Sequence, residues 1–585
     1  MNMKITHRSQ ESFYRTPYGA VPCGTAVTLR CRYEDFPAHP LLHVRFEAEK
    51  DRETFRIRPV SVTEDGKAFL AEFLLEGDFL KKYGLYFYQF SCGGDICAEE
   101  HQITVYEKDL TVPQWFLHTV IYQIFPDRFY KARDPDAVNK KNSFLYAYWD
   151  DLPLYVKNGD GTIGRWEFYG GNLKGVTEKL EYIGALGAET IYLNPIFEAD
   201  SNHRYDTADY MKIDGLLGGE ASFDALMRET NRRGMHVILD GVFNHTGKNS
   251  RYFKSPDGRY RDWYTFREDG TYDCWWGVAD LPAVNKKSES YLEFIAGNRD
   301  SVVRYWSRKG ISGWRLDVAD ELPDSLIQKI RAAAEAEIPE PVLIGEVWED
   351  ASNKISYGER KTYFTGRELH THTNYVFRDT ILSFLNGSLS AAAVVGTFET
   401  IRENYPRHNF LAQVNMTGSH DVERLMTAML RITKGDRRLA RDLVRCYSLL
   451  QFTSPGVPLI YYGDETCLEG GTDPDNRRTY PWGNQDFDMI RWFAGLSCLR
   501  RECPELTEGD AAYYAAAENN VYAVLRVPFA GEGNCYMTVC DRFGRGRDFL
   551  QRSAAEITEG IEKVREKSYI IKKEAGGYAM LVEFT

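Results

Sequence analysis

Four acidic residues follow short apolar runs in this chain, and their settings differ in ways that chemistry could use. Asp240 ends Val-Ile-Leu-Asp, Asp317 ends Trp-Arg-Leu-Asp, Glu346 ends Val-Leu-Ile-Gly-Glu, and Asp421 follows Val-Asn-Met-Thr-Gly-Ser-His. Histidine stands near two of them, as Asn244-His245 after Asp240 and as His420 before Asp421. Arg315 precedes Asp317 by two residues, and alternation along a strand puts both side chains on one face with Leu316 opposite. A guanidinium in that position lowers a carboxylate's pKa and keeps it ionised, as a nucleophile requires. Glu346 is followed by Val347 and Trp348 and has no cation next to it in sequence. It is therefore the better proton donor, and its longer side chain reaches further. An isolated Arg-x-Asp is ordinarily a structural ion pair, and one acid after a strand is ordinarily a helix cap. Four acids at successive strand ends are not explained by capping, and clustered titratable groups mark a site.

For these acids to meet, their strands must lie side by side and run the same way. From Thr119 onward apolar strands alternate with helices: Val120 to Phe125, Thr190 to Leu193, Met235 to Leu239, the strand at Trp314, Val342 to Gly345, Gln413 to Met416 and Leu459 to Tyr462. Helical periodicity covers 173–186, 222–233, 291–309 and 324–337. Continuous apolar strands alternating with helices indicate a parallel sheet, and about eight such units over residues 113–504 fit a (β/α)8 TIM barrel. In such a barrel the polar residues at the carboxyl ends of the strands converge on one face. Residues 247–288, rich in Tyr, Trp, Gly and Asp, read as an inserted loop domain after strand 3, and Tyr130 to Glu167 form a second long loop after strand 1. Residues 1–112 carry short alternating strands separated by turns, which predicts an N-terminal β-sandwich. Short strands return over 505–585, which predicts a C-terminal β-sandwich.

Composition narrows the partners. A formal net charge of −13 argues against nucleic acid and against anionic membranes. The aromatic content, 37 Tyr, 32 Phe and 11 Trp, exceeds what cores need and suits either sugar stacking or a rigid barrel. The eleven cysteines are odd in number, with no CxxC pair and no histidine cluster beside them, so reduced thiols are expected. With no apolar leader at the N-terminus and no apolar run of membrane-spanning length, the expected location is the cytoplasm.

Two carboxylates, one held ionised and one able to carry a proton, are what glycoside hydrolysis requires. Asp240-Gly-Val-Phe-Asn-His245, Gly313-Trp-Arg-Leu-Asp-Val-Ala-Asp-Glu321, Glu346-Val-Trp348 and Gly418-Ser-His-Asp421 resemble, in order, the motifs of the α-amylase family of glycoside hydrolases, family 13. Asn194-Pro-Ile-Phe197, His203-Arg-Tyr-Asp-Thr-Ala-Asp-Tyr210, Leu281-Pro-Ala-Val-Asn285 and Gly463-Asp-Glu465 extend the resemblance along the barrel. It implies Asp317 as nucleophile, Glu346 as general acid/base and Asp421 as a third carboxylate gripping sugar hydroxyls. It also implies Arg315, His245 and His420 around the same sugar with Tyr205 stacked on it, and Asp206, Glu321 and Trp348 as further substrate contacts. The reaction would retain configuration, with the carboxyls of Asp317 and Glu346 about 5 to 5.5 Å apart. The N-terminal β domain, Phe168-Tyr-Gly-Gly-Asn-Leu-Lys-Gly175 and Gly471-Thr-Asp-Pro-Asp-Asn-Arg477 are most similar to the neopullulanase, cyclomaltodextrinase and maltogenic amylase group. By that similarity Asp473 and Arg477 would contact the sugar on the non-reducing side. The substrates would be cyclodextrins, pullulan, starch or maltooligosaccharides, cut at α-1,4 bonds.

Other readings stay open at this point. An α-glucan transglycosidase or isomerase would use the same residues, and a non-catalytic glucan-binding protein would be expected to have lost one of the three carboxylates. The N-terminal domain could bind starch or form a homodimer. No cofactor is expected to be required. Calcium is expected to be weak or absent, because the stretch Tyr-Lys-Ala-Arg-Asp-Pro-Asp at 130–136 brings lysine and arginine where the group uses Asn and Asp, and Asn172 stands where Asp is common. Asn244 matches a calcium ligand of other amylases. Ala283 stands where the group usually carries lysine, and the Tyr-Asn-Trp-Gly-Tyr segment of type I pullulanases is missing.

Overall fold

The computed structural model describes residues 5–34, 39–48, 51–92, 95–97, 99–133, 140, 142–564 and 567–584, so Asp134 and Asp136 of the expected calcium stretch lie outside it. The chain resolves into two compact units: Met1–Val112 with Trp348–His370 and Gly396–Phe410, and Pro113–Val347 with Thr371–Val395 and Leu411–Thr585. In the first unit, sheets of five and six strands close over a core that includes Leu29, Tyr33, Phe46, Phe73 and Tyr88. Burial alternates along Val27–Tyr33, because only one face of the sheet meets the core. Arg360 to Glu47 and Arg15 to Glu403, each at 2.8 Å, hold the two later segments within this unit.

The second unit is built on a closed barrel of eight strands. They are β1 (Ile121–Ile124), β2 (Thr190–Leu193), β3 (His236–Gly241), β4 (Gly313–Leu316), β5 (Val342–Gly345), β6 (Thr371–Asn374), β7 (Val414–Met416) and β8 (Val457–Tyr461). Every neighbouring pair is parallel, and β8 closes on β1. Gly313 lets β4 close on β5: a Cβ there would lie 2.2 Å from the Val342 carbonyl oxygen. Sequence periodicity misses β6 because it reads Thr-His-Thr-Asn, all buried and none apolar. At its two ends polar atoms are satisfied inside the barrel, with Asn374 donating to Gln413 and Asn415 and Thr371 to the Ala412 carbonyl. Two helices expected to be continuous are each two pieces: Leu173–Glu178 and Leu180–Ala185, then Glu289–Ala296 and Val302–Arg308.

The insertion after β3 contains only isolated bridges and two 3-10 turns among its described elements, and is packed by aromatic contacts around Phe253. At the C-terminal end the structure corrects the expected sandwich. A single five-stranded sheet is covered on one face by the helix Arg547–Thr558, through Leu550, Ala554 and Ile557. The barrel helix Arg437–Thr453 covers the other face, where Thr538 bonds Thr453 and the Cys446 and Cys540 sulfurs come within 3.3 Å. Burial on both faces explains why Val521–Val527 is buried throughout rather than alternating. Two deeply buried arginines seal this junction. Arg500 donates to the carbonyls of Phe452, Leu506 and Gly456, and Arg526 to those of Thr453, Leu506 and Gly509. Both thereby satisfy carbonyl groups left over at the end of that helix.

Candidate active site

At the carboxyl end of the barrel, parallel register places Arg315 of β4 opposite Asp240 of β3 and Ile344 of β5. Its guanidinium therefore reaches three acids on three successive strands. One terminal nitrogen lies 2.9 Å from Asp240 Oδ1 and 2.8 Å from Asp317 Oδ1, and the other lies 2.8 Å from Glu346 Oε2. This corrects one expectation: Glu346 does have an adjacent cation, contributed by the neighbouring strand, which spacing along the chain cannot reveal. It corrects a second as well. Burial, together with Glu346 and Asp240, pushes the Asp317 carboxyl well above the usual carboxylate range, against the downward pull of Arg315. Three carboxyls around one guanidinium favour keeping a proton within the cluster.

Asp240 is held from behind by the hydroxyls of Tyr192 at 2.6 Å and Tyr205 at 2.8 Å. Val318, directly after Asp317, has φ +47 and ψ +49, a left-handed conformation that disfavours a β-branched residue. That turn directs its N–H to Glu346 Oε2 at 2.9 Å, so the residue after one carboxyl fixes the other.

His420 and Asp421 face this cluster from the loop after β7. The Nδ1 of His420 receives the amide groups of Asn194 at 3.1 Å and Gln123 at 3.2 Å. Nδ1 is thus the acceptor and Nε2 carries the proton, which it directs to the Tyr205 hydroxyl at 2.7 Å, with Asp421 Oδ2 at 3.2 Å. Burial drives the His420 pKa far down, so the ring is neutral. Burial and the charge of Glu346 push Asp421 up to about 7. Arg477 backs the loop, 3.0 Å from the His420 carbonyl, 2.9 Å from Asp473 and 3.9 Å from Asp421.

These groups line a cavity of about 300 Å³ whose wall includes Asp317, Glu346, Asp421, Tyr205, His245, His420, Asp473 and Arg477. Arg315 lies buried behind it. His245, its pKa lowered to about 3 by burial, has a buried Nε2 with no partner among the described residues, a donor or acceptor for a ligand hydroxyl. Two expected contacts do not line this cavity. Asp206 lines a neighbouring cavity, its carboxyl pinned by the Ser201 hydroxyl and the N–H groups of Asp200 and Ser201. Glu321 is occupied by Asn244 at 2.9 Å and by the indole N–H of Trp276 at 2.8 Å. Trp348 belongs to the first compact unit.

The wall also contains Tyr155 and Trp275, which sequence reasoning missed, and His203, Leu281 and Val318, which it placed in motifs without a role. Tyr155 and Trp275 sit in long loops with no periodicity to place them, and Val318 contributes through its backbone. Trp276 is 76% exposed, stacks at 15° and 5.3 Å on Trp275, and has φ +46. An exposed indole held by a hydrogen bond, a stacked neighbour and a left-handed backbone is costly to the fold alone, which points to ligand contact.

A parallel eight-stranded barrel with paired, unequally placed carboxyls in one cavity defines a glycosidase-type site on a TIM barrel. The chain matches the Alpha-amylase family (alpha amylase, catalytic domain) over residues 123–288 and 275–492, and it belongs to that family. It is 33% identical to an amylopullulanase of Thermoanaerobacterium saccharolyticum over 91% of its own length, and spans 47% of that longer protein. It is also 33% identical to neopullulanase 2 of Thermoactinomyces vulgaris, over 71% of this chain and 68% of the relative. Among solved structures, the cyclic α-maltosyl-(1→6)-maltose hydrolase of Arthrobacter globiformis shares 27% identity and a TM-score of 0.67, covering 81% of this chain and 100% of that one.

Proposed function

We propose that this chain is a retaining α-glucan hydrolase that cleaves α-1,4-glucosidic bonds of cyclodextrins, pullulan, starch or maltooligosaccharides. The observation that carries the reading is the single guanidinium bound to Asp240, Asp317 and Glu346 at the floor of a cavity that Asp421 overlooks. Asp317 attacks the anomeric carbon as the glycosidic C–O bond breaks, and Glu346 protonates the departing sugar oxygen. Water then gives a proton to Glu346 and attacks the same carbon, releasing Asp317 with net retention. Glu346 Oε2 receives the guanidinium and the Val318 N–H, which fixes the orientation of the carboxyl. Asp421 and His420 would grip ring hydroxyls, with His245 Nε2 as a further partner. The names of the relatives, amylopullulanase and neopullulanase, support the substrate class.

The same reading gives calcium no essential role. Asn172 is spent as a helix cap, accepting the Gly175 N–H and donating to the Ala132 carbonyl. Asn244 offers one oxygen with no partner among the described residues, and Lys131 and Arg133 bring positive charge to the expected ligand stretch. Chelator treatment should leave activity within about twofold, since hard-cation sites need 6–8 oxygens; a tight stoichiometric heat of calcium binding would overturn this. Cys92 apart, no disulfide is formed among the other ten cysteines, which supports a cytoplasmic setting, and no helix among the described residues is long and apolar enough to cross a membrane. A panel of β-cyclodextrin, pullulan, soluble starch and panose with product chromatography tests the function. Release of maltose- or panose-type products is expected, and inactivity on all four would refute it.

A further inference from the structure

A second cavity, about 560 Å³, opens beside the first and shares His203 and Leu281 with its wall. It lies within the ~300–1,000 Å³ range of small-molecule sites. Segments leaving three successive strands build it: 142–166 after β1, 200–206 after β2 and 248–281 after β3. Trp166 is the aromatic wall. Its ring meets His203 edge-on at 5.0 Å and Tyr155 at 5.9 Å, and both of those residues line the first cavity. One aromatic layer therefore divides two adjoining spaces.

The charged groups here are engaged with neighbouring side chains and backbone. Lys248 pairs with Asp280, Lys254 donates to Asn249, and the Asn249 amide donates to Asp200 at 2.6 Å. Asp206 is committed to Ser201 and two backbone N–H groups. Two lysines stand against three aspartates in this wall, so neither sign is in large excess and no strong field selects an ion. The wall offers alternating donors and acceptors beside an indole face, the chemistry that suits a neutral polyhydroxylated ring. His203 adds a donor in the shared wall. Its Nδ1 accepts the Tyr205 N–H at 3.1 Å, and burial keeps the ring neutral, so the proton sits on Nε2.

We propose that the second cavity receives an α-glucan arm joined through a branch point, so that the favoured substrate is a forked α-1,4/α-1,6-glucan with one arm in each cavity. The inference rests on the α-glucan reading of the first cavity. A linear chain passing the first cavity would leave the second empty, whereas a glucose substituted at both O4 and O6 can send one arm past each side of the Trp166 wall.

The test compares maltohexaose with its isomer carrying a maltosyl arm α-1,6-linked to an inner glucose of maltotetraose. Filling the second cavity from its exposed edge with Val278→Trp, at a residue 41% exposed, should lower the ratio of kcat/KM for the branched over the linear hexasaccharide at least tenfold. Trp166→Ala should move the ratio the same way, and gives an independent readout if Val278→Trp folds poorly. A ratio unchanged in both variants, or equal losses on both sugars, would overturn the second-arm site while leaving the hydrolase reading intact. A wild-type enzyme inactive on every α-glucan would overturn the hydrolase reading and this inference with it.

Discussion

At the scale of single residues, the account turns on Arg315. Its guanidinium is bonded to Asp240, Asp317 and Glu346 together, and it opposes the upward push of burial on Asp317. Removing it by Arg315→Met should raise the Asp317 pKa further. The nucleophile then ionises only at higher pH, and the acid limb of the kcat/KM profile should move up by about 1–3 pH units. A profile unchanged in position would contradict this. Glu346→Gln should lower kcat on unactivated glucans by about 10²–10⁴-fold, the range for a lost general acid. Asp421 bears on stability as well. Its carboxyl is raised to about 7, above an unfolded value of about 3.9. The folded state therefore holds that proton more tightly, and stability falls as pH rises from about 4 through about 7. Asp421→Asn should thus be more stable than the native chain at pH 8 by denaturant titration, by an amount that solvent screening at this partly exposed carboxyl keeps small, while losing activity. Equal stability at pH 8 would sink that argument. Asp421 was legible in the sequence because it follows β7 within a few residues, and Asp240, Asp317 and Glu346 because each closes an apolar run. Their shared guanidinium was not, because contacts between neighbouring strands leave no spacing along the chain.

At the scale of elements, the turn after β4 and the insertion after β3 carry the predictions. Val318 is held left-handed so that its N–H meets Glu346. Val318→Gly keeps that N–H and relieves a steric cost of roughly 1–2 kcal/mol, offset by glycine's looser unfolded state, so activity should persist. Val318→Pro removes the donor and cannot adopt the left-handed φ, so it should cost more than the roughly 10²-fold in kcat of a lost fixed donor. Matching activity in the two variants would remove the backbone from the mechanism. Trp276→Ala should leave the unfolding midpoint nearly unchanged yet raise KM for long maltooligosaccharides about tenfold, equivalent to ~1.4 kcal/mol of binding. Element reading from sequence succeeded where apolar runs were continuous and failed at Thr371–Asn374, where the barrel buries a polar strand by pairing its amides internally. The insertion could be delimited but not folded on paper, because aromatic packing rather than strand or helix periodicity organises it.

At the scale of the whole chain, flanking β structure around a TIM barrel was readable from texture, whereas the layering at the C-terminal end was not. Strands buried on both faces look alike whether a second sheet or a helix covers them, and Arg547–Thr558 supplies the cover. Arg500 joins that layer to the barrel by capping carbonyls. Arg500→Met would leave these carbonyls buried and unpaired, and should lower stability by about 2–4 kcal/mol with KM unchanged. The central claim concerns two carboxyls in unequal roles, and one measurement reaches it directly: trapping the enzyme with a fluorinated glucosyl fluoride, followed by peptide mass mapping. The account predicts one sugar, attached to Asp317 in the peptide that contains it. An unlabelled enzyme whose first-formed product has the inverted β configuration would contradict it.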